Sequence, residues 1–93
     1  MSKQFNLGQV VLTRGINDAI AESTPFTKEV LHSVNRYRAG DWGDLCEEDK
    51  EANDFAVDHE DRILAAYETC LGKVWIITEW DRSVTTILFP HEY

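Results

Sequence analysis

The strongest chemical signal in this chain comes from its carboxylates. Between positions 41 and 61, ten acidic side chains stand against one base, Lys50. Carboxylates at this density attract cationic surfaces over long range and substitute for phosphates toward Lys and Arg. Asp41, Trp42, Asp44, Glu47, Glu48, Glu51, Asp54 and Asp58 are the candidate partner-binding residues, Trp42 being an aromatic anchor or a core residue beside the acids. The same run also fits an ordinary solvated helix face. Other chemistries lack their residues. His32, His59, His91, Cys46 and Cys70 form no CxxC or HExxH spacing, and the acids form no calcium loop. Ser33 and Ser83 have no histidine at a defined spacing, and no glycine-rich phosphate loop or nucleophile elbow is present. The sequence predicts a non-enzymatic protein with no catalytic residue, no metal and no cofactor.

The formal net charge of −8 is uneven along the 93 residues. Positions 1–40 hold five bases and three acids, and positions 62–93 hold three bases and four acids, so nearly all the excess lies in 41–61. Such a field repels nucleic acid and anionic lipid, which makes a basic protein surface the expected partner. No stretch approaches the roughly 20 apolar residues of a membrane span, and MSKQFNLGQ has no apolar signal region. A single cytoplasmic domain over 1–93, with both cysteines reduced, is the expectation.

An α+β fold must position these acids. RILAAYETCLGKVWIITEWDRSVTTILFP predicts three strands, over 62–69, 73–79 and 84–89, joined by tight turns into an antiparallel meander. Alternation places Ile63, Ala65, Tyr67, Trp75, Ile77, Thr85, Ile87 and Phe89 on one side, and Leu64, Val74, Ile76, Val84 and Leu88 on the other. Helices are expected on one face and partial cover or a partner on the second. Earlier in the chain, 9–13 is a short strand candidate and Thr13 caps a helix through Ile16, Ala19 and Ile20. Thr24 followed by Pro25 predicts the start of an amphipathic helix carrying Phe26, Val30, Val34 and Tyr37 and ending near Gly40. Asp44 with Glu47 three residues later matches a capping box for a third helix to about Val57, with Leu45, Ala52, Phe55 and Ala56 on its buried side. Asp81-Arg82-Ser83 reads as a hairpin turn in which Glu79 and Arg82 form a local ion pair.

GDWGDL at 40–45, EDKEAND at 48–54, RILAAY at 62–67 and WIITEWDRSVTTILFPHEY at 75–93 together resemble a family of short proteins of bacterial plasmids, phages and integrative elements. The resemblance covers most of the chain and implies a mobile-DNA setting but no catalytic residues. It also implies that the acidic surface serves to inhibit a host defence complex, restriction or CRISPR machinery, by binding it. The alternative is an accessory module of the element that dimerises through the second sheet face, at positions such as Val74 and Leu88.

Overall fold

A computed structural model describes residues 5–93. In chain order the elements are β1 (Gln9–Leu12), α1 (Arg14–Glu22), α2 (Thr24–Arg38), α3 (Glu47–His59), β2 (Ile63–Thr69), β3 (Gly72–Thr78) and β4 (Val84–Leu88), followed by a 3-10 turn at Pro90–Glu92. The α+β class and the antiparallel β2-β3-β4 meander are as the sequence predicts. Among the described residues the sheet is four-stranded and mixed, in the order β1-β4-β3-β2, because β1 joins the meander parallel to β4. Which edge a four-residue strand takes is a tertiary choice, made here by bonds from Gln9 N to Ser83 O (3.0 Å) and from Thr13 N to Ile87 O (3.1 Å).

Register corrects the expected faces. The two-residue connection Cys70-Leu71 opposes Ile63 to Thr78, Ala65 to Ile76 and Tyr67 to Val74. Directly opposed residues share a face, so odd positions of β2 go with even positions of β3. Val74, Ile76 and Thr78 therefore face the helices with Ile63, Ala65, Tyr67, Thr85 and Ile87, while Trp75 and Ile77 lie on the far face, the reverse of the reading from alternation alone. The far face is itself partly covered. Ile77 and Leu88 are 3% and 4% exposed, and Val74 is fully buried on the other side, so neither Val74 nor Leu88 offers a dimer contact. Tyr93 meets Trp75 edge to face over this side, and its hydroxyl accepts from Arg62 at 2.8 Å.

Helix starts follow the capping rules with two shifts. Thr13 caps α1 as predicted, its hydroxyl accepting from Ile16 N at 3.4 Å. Glu92 completes that cap from the other end of the chain, accepting from the Thr13 hydroxyl at 2.6 Å, Gly15 N at 2.9 Å and Phe89 N at 3.0 Å. α2 is capped by Ser23 rather than Thr24, with Pro25 still in the first turn, where its missing N–H has no helical partner to lose. α3 starts at Glu47 without the Asp44 capping box, because the backbone ahead of it is engaged by the sheet. Asp44 N donates to Ala66 O at 2.8 Å, and Gly43 bridges Ala66 in parallel fashion. Only glycine fits there: φ is +75°, and a Cβ would meet Ala66 O at 2.0 Å.

The core between helices and sheet contains Ile16, Phe26, Val30, Tyr37, Ile63 and Ile76, among others, and one line of buried hydroxyls. Thr85 Oγ1 donates to Leu7 O at 2.7 Å, and a carbonyl only accepts. Thr85 has thus spent its proton, so it accepts from Thr78 (2.7 Å), and Thr78 in turn accepts from the Tyr37 hydroxyl (2.7 Å). The direction of all three bonds is fixed by that one carbonyl. Burial pushes the Tyr37 phenol well above its ordinary value, keeping it protonated as the donor.

Thr85→Val breaks this line, leaving the Thr78 hydroxyl without its acceptor and the Leu7 carbonyl without this donor, which costs about 1–3 kcal/mol. The expected result is a lower urea midpoint with an unchanged slope. Glu92 lies below its ordinary value of 4.5, chiefly because of the Thr13 hydroxyl bond. A depressed carboxylate contributes stability above the unfolded value and loses it as pH falls through the folded one. Stability of the parent protein should therefore fall as pH drops below about 4.5, and Glu92→Gln should show a shallower decline in denaturation midpoints over the same range.

Candidate functional site

The acidic helix α3 is fastened mainly by polar groups. Asn53, buried, pairs with the backbone of β2 as a neighbouring strand would, donating to Leu64 O at 2.8 Å and accepting from Leu64 N at 3.4 Å. Trp42 Nε1 donates to Asp54 Oδ1 at 2.9 Å. At the C-terminal end the Arg82 guanidinium donates to Ala56 O at 2.6 Å, Asp61 O at 2.7 Å and Glu79 O at 3.1 Å, tying the last helical turn to the β3-β4 loop. The expected Glu79–Arg82 ion pair is absent. Glu79 instead faces Arg62 at 3.7 Å, and Arg82, held at φ +61°, is spent on backbone carbonyls.

These anchors set the rotation of α3 and hence which acids face outward. With Asn53, Ala56 and Val57 turned toward the sheet, about 100° of turn per residue places Phe55 on the opposite side. Phe55 is accordingly 55% exposed and Ala52 is exposed too, correcting the expectation that both are buried. Phe55 stacks on His59 at 3.7 Å between ring centroids, and His59 Nδ1 lies 2.8 Å from Phe55 O. Glu47, Glu51 and Asp58 fall in one row on this outer side, and Glu48 lies on the side of Phe55, about two turns before it. The contact of Glu47 with Lys50 is 3.9 Å long and exposed, so it neutralises little of the row.

The eight candidate residues divide into two groups. Asp41 is held by Arg36 in a two-pronged pair (2.7 and 3.1 Å) and accepts from Gly43 N at 3.1 Å. The Arg36 bond, foremost, holds its carboxyl below the usual range. Its carbonyl also accepts from the Tyr67 hydroxyl at 2.6 Å. Trp42, 3% exposed, belongs to the core, with its ring 5.6 Å from Tyr37 and 5.9 Å from Phe5. Asp41 and Trp42 thus build the turn, and Asp54 serves both the Trp42 anchor and the surface. Asp44, Glu47, Glu48, Glu51 and Asp58 are exposed. Sequence reasoning missed Asn53 and Arg82 as positioning residues. The available signals were an asparagine at the inward phase of a polar helix and an arginine in a tight turn.

No group of three or more His, Cys, Asp or Glu side chains among the described residues is arranged to hold a metal ion. No helix there is long and apolar enough to cross a membrane. What the arrangement does offer is a row of exposed carboxylates on the side of α3 that carries an exposed aromatic ring. Arg82→Met should cost about 2 kcal/mol or more, since hydrogen bonds from a charged donor are worth about 1.5–3 kcal/mol each, and amide exchange should quicken at the end of α3. Glu47→Gln, Glu48→Gln and Glu51→Gln should each stay within about 0.5 kcal/mol of the parent in the same urea titrations. Compared with known family models, characterised proteins and solved structures, the chain matches none.

Proposed function

We propose that this chain acts by binding another protein, docking the outer side of α3 on a cationic surface of a nucleic-acid-binding complex. The observation that carries the reading is the division of labour among the acids. Asp41 and Asp54 engage the scaffold, whereas Glu47, Glu48 and Glu51 project from a helix whose rotation is fixed by Asn53 and Arg82. A fixed row of carboxylates speeds encounter with a basic groove and pairs with Lys and Arg once there. Phe55, stacked on His59, adds apolar area within the row, of the kind that anchors interfaces.

The resemblance to mobile-element proteins narrows the partner class to a host defence complex of the restriction or CRISPR kind, whose nucleic-acid grooves are basic. In that setting the protein occupies the groove and inhibits the complex without chemistry of its own. The combined variant Glu47→Lys, Glu48→Lys, Glu51→Lys tests this. It should melt cooperatively near the parent temperature yet lose protection of phage or plasmid DNA in cells carrying the defence system. Undiminished protection by the folded variant against every system the parent blocks would overturn the reading.

A further inference from the structure

The open edge of the sheet lies at β1. Gln9 donates to Ser83, just before β4, and Thr13 to Ile87 within it, and the alternation of a parallel ladder turns the N–H and C=O groups of Val10 and Leu12 away from the sheet. Val10, Val11 and Leu12 are 46%, 40% and 37% exposed, an apolar run along a backbone edge that no strand pairs among the described residues. Edge strands are ordinarily blunted by a charge, a proline or a bulge. Here NLGQVVLT, residues 6–13, contains neither charge nor proline.

We propose that β1 is the contact strand of a symmetric homodimer, two copies pairing antiparallel edge to edge. The outward groups of Val10 and Leu12 fix the register: Val10 of one copy opposes Leu12 of the other in hydrogen-bonded pairs, and Val11 meets its own counterpart on the two-fold axis. The outward groups match themselves about that axis, which makes a second copy the occupant, and charge does not oppose it there. A chain of net charge −8 repels itself wherever its acids meet, and this uncharged edge is the place where two copies approach without that penalty. The sheet order puts β1 at the edge opposite β2, the strand that α3 packs against, so the acidic helices end at the two far ends of a continuous eight-stranded sheet. The dimer leaves the outer side of α3 free, and its test does not depend on the proposed function.

A four-residue strand buries little area, so the association belongs with weak interfaces below about 1,200 Å². Sedimentation or light scattering from about 10 µM to about 1 mM should show mass rising from one chain toward two. Val10→Pro, which removes an outward N–H without touching the β4 ladder, and Leu12→Lys should each hold the protein monomeric. The Lys variant decides the matter should the Pro variant fail to fold. With Cys46 and Cys70 replaced by Ser, Val11→Cys should oxidise to a disulfide-linked dimer, because non-hydrogen-bonded antiparallel pairs hold Cα atoms about 4.5 Å apart. Asn17→Cys, exposed on α1, is the control and should not. A parent protein that stays monomeric throughout, or Val11→Cys that cross-links no faster than Asn17→Cys, would overturn the proposal and leave the edge to a foreign strand or to solvent.

Discussion

The line of hydroxyls from Tyr37 through Thr78 and Thr85 to the Leu7 carbonyl is the constraint on which the rest of the packing depends. It joins α2, β3, β4 and the segment leading into β1, and it does so where an unmet polar group is most costly. Apolar side chains tolerate sliding, but a chain of three directed bonds does not. It therefore fixes the height of α2 over the sheet and brings residues 7–9 beside the start of β4, where Gln9 enters the ladder. At the opposite end of the chain, Glu92 reaches back to the start of α1, so both termini of the described region are fastened to the same edge of the domain.

α3 obeys a different logic. It buries little apolar surface, Ala56 being its one fully buried apolar side chain, and depends on Asn53, Arg82 and the Trp42–Asp54 bond. A helix seated by backbone-directed polar groups has few apolar residues to surrender to the core. Its outer side is thereby open to carboxylates without loss of attachment. Acids in its first turn, Glu47, Glu48 and Asp49, also oppose the helix dipole favourably. Charge on this helix thus agrees with its local stability.

Much of the framework is legible in the sequence because it rests on local rules. The β2-β3-β4 meander follows from β-branched runs broken by turns, and α1 and α2 from hydroxyl caps and helical spacing. What sequence misses is set by contacts between distant segments. The parity of β3 depends on a two-residue connection at Cys70-Leu71, where a change of one residue reverses every face. The start of α3 is displaced because Asp44 N is taken by Ala66, a partner 22 positions away that no capping rule anticipates. The acidic surface is visible in composition, but its split into scaffold acids and outward acids needs the Arg36, Trp42 and Asn53 contacts. A capping residue and a partner-facing residue have the same letter in a sequence.

The proposed function requires the outward carboxylates of α3 to confer affinity for a cationic protein. Its most direct test is the dissociation constant of a complex captured from host lysate, measured as a function of salt. Affinity should fall steeply as ionic strength shortens the Debye length from about 10 Å at 0.1 M toward about 3 Å at 1 M. The slope should flatten when Glu47, Glu48 and Glu51 are neutralised together. Binding that is indifferent to salt, or that keeps its full slope in the neutralised protein, would contradict it.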